Sequence, residues 1–222
     1  MISVDSVYQK VRQISLKESA GYSSPADFNA QQRVVQDMLF EWYFRRYEID
    51  QRIPDSLAPF YKESIATIMV GEVSYPDDYR HRIEVQVGYV SQGTTTYHAC
   101  PHIAEKEEAE SQRTVVRRAS ATKRRFYHRL LSESIAILPS NFNGRVKLKY
   151  FAQPADAIWG ATLDAVNNVY NYDAGTSTDF LWRPQDETNL VDLFLYLKGI
   201  QTRTSELLEW VGQKNQLSYN KV

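Results

Sequence analysis

"HRIEVQVGYV", residues 81–90, sets Ile83, Val85, Val87 and Tyr89 against Arg82, Glu84, Gln86 and Gly88. Side chains of a strand alternate between faces with period 2, so this stretch predicts a strand with one apolar and one polar face. A half-buried strand needs neighbours, and turn signals on both sides supply them by antiparallel pairing. "YPDD" (75–78) is a turn before it, and Gln92-Gly93 is a turn after it that leads into a partner, "TTTYHACPHI" (94–103). Upstream, "SIATIMV" (64–70) is rich in β-branched residues. Downstream, "FYHRLLSESIAILP" (126–139) and "GRVKLKYF" (144–151) read as two more strands, joined by the "SNFNG" turn (140–144). Beyond them, "AIWGATLDAVNNVYNYDAGTSTDFLWRP" (157–184) is loop-rich, with short strands near 166–171 and 179–182.

Helices flank this region. Val4, Val7, Tyr8, Val11 and Ile14 repeat at helical spacing and predict a helix over 3–18, closed by Gly21. In "GYSSPADFN" (21–29), Ser24 caps a second helix, with Pro25 at its first position and Asp27 at its third. Its stripe is Phe28, Val34, Val35, Met38, Leu39 and Trp42, followed by Phe44, and it runs to about Tyr47. "DSLAPFY" adds a short helical turn. At the other end, "ETNLVDLFLYLKGI" (187–200) stops at Gly199, and "TSELLEWVGQKNQL" (204–217) forms a last helix with Leu207, Leu208 and Val211. The expected fold is α+β. An N-terminal helical hairpin (1–62) precedes an antiparallel β region with long loops (63–183). A C-terminal helical hairpin (184–222) packs back on the N-terminal helices as one body.

The chain has 222 residues, 43% of them hydrophobic, and a formal net charge of −1. That is ample to bury a core. Charge near zero argues against a surface devoted to nucleic acid or anionic membrane. A lone cysteine, Cys100, excludes an internal disulfide. The start, "MISVDSVYQKVRQ", has no apolar core after a basic region and predicts no signal peptide. No apolar run approaches the ~20 residues that span a bilayer. The expectation is a soluble protein made in a reducing cytoplasm, with no membrane partner.

Three groups of residues invite a chemical reading. In "HACPH" (98–102), His98, Cys100 and His102 would share one strand face, and zinc takes imidazole and thiolate. No second Cys/His pair stands at finger-like spacing, so no metal and no cofactor is expected. Asp77 and Asp78 near His81 follow Pro76, where aspartate serves a turn. No phosphate-binding loop, dinucleotide fingerprint, nucleophile elbow or H-E-x-x-H motif is present, which gives no case for an enzyme. More informative is the charge pattern. Glu105, Glu107, Glu108 and Glu110 precede Arg113, Arg117, Arg118, Lys123, Arg124, Arg125 and Arg129, with no acid again until Glu133. These cations could neutralise phosphates. Guanidinium also pairs as a fork with carboxylates, and the flanking glutamates would supply them on a neighbouring copy. The stretch 111–129 therefore reads as a basic arm that contacts other subunits or a partner, in preference to DNA. Trp42, and Trp159 in "QPADAIWG" (153–160), are candidate interface anchors; Trp159 reads equally as a core plug.

The order of motifs resembles a group of virion structural proteins of tailed phages, including gut crAss-like phages and related phages of Bacteroidetes hosts. In that group a first helix leads to K-E-x-x-G-Y-x-x-P-x-x-F-N and an aromatic-rich second helix; here these are "KESAGYSSPADFN" and "MLFEWYFRRY". A P-x-D-Y strand start, a basic strand leading to Y-x-x-x-P, and a D-F followed by a Leu-rich helix ending in G-I complete the pattern. Here they are "YPDDYRHRIEV", "VKLKYFAQP" and "STDFLWRPQDETNLVDLFLYLKGI". The chain departs from the pattern over 104–128, which is long and unusually basic. The resemblance implies a head–tail connector, adaptor or tail-ring subunit of the virion. Such subunits form homo-oligomeric rings, commonly of twelve, beneath the portal protein. Packaged DNA passes through the channel and further tail ring or nozzle proteins dock below.

Overall fold

A computed structural model describes residues 1–18, 23–91, 93–104, 107, 118–167 and 169–200. The fold is α+β, with antiparallel sheets and helices at both ends. The chain divides into two compact units, Met1–Pro59 with the residues from Pro154 onward, and Phe60–Gln153. The segment 154–183, grouped with the strands on sequence, thus belongs to the helical unit.

In the helical unit, α1 spans Val4–Lys17, α2 spans Pro25–Asp50 and α3 spans Glu187–Leu197. The start of α2 follows its sequence signal: the Ser24 hydroxyl accepts the Asp27 N–H at 3.1 Å, and the Asp27 carboxylate accepts the Ser24 N–H at 3.3 Å. The Ser24 hydroxyl also donates to the Asp27 carboxylate at 2.7 Å, and this bond, with that from the Ser24 N–H, holds the Asp27 carboxyl below its usual range. Gly21 and the expected helix over 204–217 lie outside the described residues.

The inward face of α2 differs from the purely apolar stripe expected. Phe28, Val35 and Leu39 are buried, but so are Gln32 and Gln36, while Val34 is exposed. The reason is a polar ladder. Asn29 exchanges two hydrogen bonds with the Trp159 backbone, at 3.1 and 2.9 Å. Gln32 Oε1 accepts the Ala157 N–H at 3.2 Å, and Gln36 Nε2 donates to the Ala155 carbonyl at 3.0 Å. Residues spaced three and four apart share a helix face, so one face of α2 satisfies the backbone of 155–159 much as a neighbouring strand would. Below it lies an aromatic core. Phe28 stacks on Phe194 of α3 at 4.4 Å, and Tyr8 of α1 meets Trp159 at 4.3 Å.

The second unit is built from two sheets. Strands β1 (Tyr61–Thr67), β7 (Arg145–Ala152), β3 (Tyr79–Ser91) and β4 (Thr94–Ala99) pair in that order. Strands β2 (Glu72–Ser74), β6 (Ser134–Leu138) and β5 (Tyr127–Leu130) form the other sheet. Val85, Val87, Val146 and Leu148 from the first share one core with Val73, Ile135 and Ile137 from the second. "FYHRLLSESIAILP" is therefore two strands, turned at Leu131–Glu133, where the Leu131 N–H donates to the Ser134 carbonyl at 2.9 Å. The "SNFNG" turn does not join neighbours in one sheet; it crosses from β6 to β7 in the other, with Phe142 turned into the core. A further hairpin, β8 (Ala161–Asp164) and β9 (Val169–Tyr172), belongs to the helical unit. The expected strand at 179–182 reduces to a single bridge, Phe180 to Ile2.

One register detail overturns the face assigned to Arg82 near the start of β3, while Val85 and Val87 are buried as their alternation requires. Irregularities fall between Tyr79 and His81 and between Arg82 and Glu84. Arg82 pairs with Tyr150 and Val85 with Leu148, and those two partners lie on one face of β7. Arg82 is thus carried to the core side, while Glu84 opposite Lys149 stays on the outer side. A bulge breaks the period-2 rule at one residue and re-aims the side chains beyond it.

Candidate functional site

Arg82, re-aimed by the irregularity at Ile83, reaches a buried imidazole. His128, on β5, is 3% exposed. Its Nδ1 lies 2.5 Å from the Cys100 carbonyl, an acceptor, so Nδ1 carries the proton. Nε2 is then free to accept from Arg82 Nη1. The His102 ring stands edge-on to His128, with centroids 5.4 Å apart. Together with Pro101 and Glu84 these groups line a cavity of about 210 Å³. Burial pushes the His128 imidazolium down to about 4; the nearby Arg82 and His102 act in the same direction, against the bond to the Cys100 carbonyl. Burial also pushes the Cys100 thiol up to about 12. The thiol therefore stays protonated at neutral pH, which makes it a poor nucleophile and a poor metal ligand.

Two expected outcomes follow. The unfolded chain protonates His128 near 6.5 and the folded chain only near 4, so protons favour the unfolded state between those values. The stability due to His128 is full above about pH 6.5 and is lost as pH falls towards 4, by up to about 3 kcal/mol. In urea titrations the wild type should lose stability more steeply over that window than a His128→Gln variant. Parallel curves contradict the assignment. The second outcome concerns metal. His98, Cys100 and His102 do not converge: Cys100 is buried, His102 is exposed and His98 sits on β4 opposite Val87. Among the described residues no group of three or more His, Cys, Asp or Glu is arranged to hold a metal ion. Elemental analysis should find no stoichiometric zinc. A full equivalent that disappears in Cys100→Ser would contradict this.

Of the basic segment, Arg113 and Arg117 lie outside the described residues. Arg118 is exposed. The chain then makes a tight turn in which Ser120 and Arg125 exchange backbone hydrogen bonds at 3.0 and 2.9 Å. Lys123 and Arg124 are exposed on that turn, and the Arg124 guanidinium stands 5.3 Å from the Tyr89 ring. Phe126 anchors the end of the turn against Phe142 at 4.7 Å. Arg125 and Arg129 are half-buried, Arg129 on β5. The described cations are thus split between an exposed turn and a strand.

The two tryptophans part ways. Trp159 is 2% exposed, and its indole N–H donates to Asp5 at 2.9 Å, so it takes the core role that the sequence left open beside the interface role. Trp42 is half-buried on α2 with the Arg46 guanidinium 4.0 Å over its ring. The Arg82–His128 pair was not foreseen; it depends on a bulge and on two strands distant in sequence. Among the described residues no helix is long and apolar enough to cross a membrane. No protein-family model matches the chain, and no curated protein matches it.

Proposed function

We propose that the chain is a structural subunit of a tailed-phage head–tail connector, an adaptor or tail-ring protein whose copies close into a homo-oligomeric ring beneath the portal. Its partners are further copies, the portal protein and other tail ring or nozzle proteins, with packaged DNA passing along the channel. Its place is the virion, after assembly in the host cytoplasm, and its role is mechanical, without catalysis. The observation that carries this reading is the β8–β9 hairpin. Leu163, Val166, Val169, Tyr170 and Tyr172 are all at least 38% exposed on it. A two-stranded ribbon is marginal alone, and clustered exposed apolar side chains mark a surface that another protein covers. The motif order that resembles virion proteins points the same way. A C-terminal helical hairpin packing back on α1 and α2 would give each copy a rigid body for its neighbours to grip.

A second reading, nucleic-acid binding through 113–129, draws on the exposed Lys123 and Arg124. DNA must slide through a channel, so tight phosphate contacts would hinder its passage, and protein contacts are favoured. The test replaces Arg117, Arg118, Arg124 and Arg125 with serine and follows assembly and DNA retention separately. Impaired assembly supports a contact between proteins. Normal assembly with altered DNA handling alone moves the basic segment to the channel.

A further inference from the structure

After β4 the chain leaves the first sheet at Cys100, whose N–H donates to the Val85 carbonyl of β3 at 2.9 Å. From Pro101 it follows β5 instead. The Pro101 carbonyl accepts the His128 N–H at 3.0 Å, and the Ile103 N–H donates to the His128 carbonyl at 3.0 Å. The cavity of about 210 Å³ lies in the notch this opens, lined by Arg82 and Glu84 from β3 and by Pro101, His102 and His128. Arg82 is half-buried there. Among the described residues its one hydrogen-bond partner is Nε2 of His128. That nitrogen offers a lone pair and no charge, because Nδ1 holds the proton that faces the Cys100 carbonyl. The lysines of the same sheet are matched: Lys62 pairs with Asp78, Lys147 with Glu63 and Lys149 with Glu84. Among the described residues Arg82 has no carboxylate.

A cation drawn out of water without a counter-charge is costly, and a half-buried one bears part of that cost. The guanidinium carries five N–H donors in one plane. His128 takes one of them, which leaves donors for a forked acceptor, the geometry that a carboxylate or phosphate fills. The cavity is smaller than the roughly 300–1,000 Å³ of pockets for drug-sized ligands, and suits a small ion. His102, exposed beside it, brings a further imidazole N–H. Glu84, the acid on the wall, is already engaged: its carboxylate accepts Lys149 Nζ and Gln86 Nε2, each at 2.8 Å. We infer that the notch is a binding site for a small oxyanion, a phosphate or a carboxylate, gripped by the Arg82 guanidinium with His102 beside it. His128 is the positioning residue, which aims the guanidinium by accepting one of its N–H groups. The inference goes beyond the ring reading and does not depend on it.

The test titrates inorganic phosphate into the full chain at fixed pH, with chloride keeping the ionic strength constant, and follows the histidine ring signals by NMR. The His102 and His128 signals should move saturably, with a midpoint of about 1 mM, the affinity that two or three charge-assisted hydrogen bonds supply. Arg82→Gln should weaken binding by about tenfold or more. Arg82→Lys keeps the charge and loses the fork, so it should fall between. His102→Gln changes an exposed side chain, leaves the fold intact and should weaken binding by a few fold. Urea unfolding supplies a second readout. Phosphate stabilises most folded chains by exclusion from their surface, and that effect acts equally on wild type and Arg82→Gln; a bound ion should widen the gap between them as phosphate rises. Acetate replaces phosphate in a parallel titration, and the lower midpoint names the oxyanion. Histidine signals that respond to neither anion beyond the chloride control overturn the site. So does an Arg82→Gln chain with the wild-type midpoint, or a stability gap that phosphate and acetate leave constant.

Discussion

Truncating Trp182 to alanine is expected to destabilise the helical unit by about 3–5 kcal/mol. The ring is fully buried, and its indole N–H donates to Gln36 Oε1 at 3.2 Å. The substitution thus opens a large cavity and removes the donor from a buried amide. That amide is part of the ladder along α2: Gln36 Nε2 also donates to Gln32 Oε1 at 2.7 Å. Disturbing it loosens the hold of α2 on the 155–159 backbone. Trp182→Phe keeps most of the apolar area and loses the hydrogen bond, so about 1–2 kcal/mol is expected. Urea unfolding of the two variants measures both. A loss below about 1 kcal/mol for the alanine variant would show that the site collapses around the gap.

Asp186→Ala should cost about 2–4 kcal/mol. Asp186 is fully buried just ahead of α3, and its Oδ1 accepts the Tyr43 hydroxyl at 2.5 Å and the Ser56 hydroxyl at 2.8 Å. This carboxylate joins α2 and the 3₁₀ turn at Asp55–Phe60 to the start of α3. Removing it leaves two hydroxyls without their acceptor, and a buried unmade bond costs more than a made one contributes. Asp186→Asn keeps an acceptor oxygen and should cost less. The same variants have a spectroscopic readout. Burial, reinforced by the Asp186 carboxylate, pushes the Tyr43 phenol up to about 12. Loss of that carboxylate should lower the Tyr43 titration in the ultraviolet. Equal stability of the alanine and asparagine variants, with Tyr43 titrating as in the wild type, would contradict the network.

The sequence was most readable where the physics is local. Ser24, Pro25 and Asp27 announce the start of α2 because a capping box is closed by residues three apart. Val85 and Val87 are buried as their alternation requires. Legibility fails where a distant partner decides. Glutamines at 32 and 36 look like surface residues until the backbone of 155–159 is laid against them. "SNFNG" looks like a hairpin turn because its residues favour turns, but pairing of β6 with β2 and β5 is set by the shared core. Arg82 reads as an outward residue on β3, and only the register against β7 shows the bulge that turns it to His128. The basic segment was visible as composition alone, which says that a surface is charged and leaves open what meets it.

The central claim is that copies of this chain build a closed ring. The direct measurement is the native mass of the purified chain across a range of concentrations, with and without double-stranded DNA, at low and at moderate salt. The ring reading predicts one defined oligomer that is a whole multiple of the chain mass, reached by concentration alone and unchanged by DNA. A monomer at every concentration, binding DNA with an affinity that falls steeply as salt rises, would contradict it.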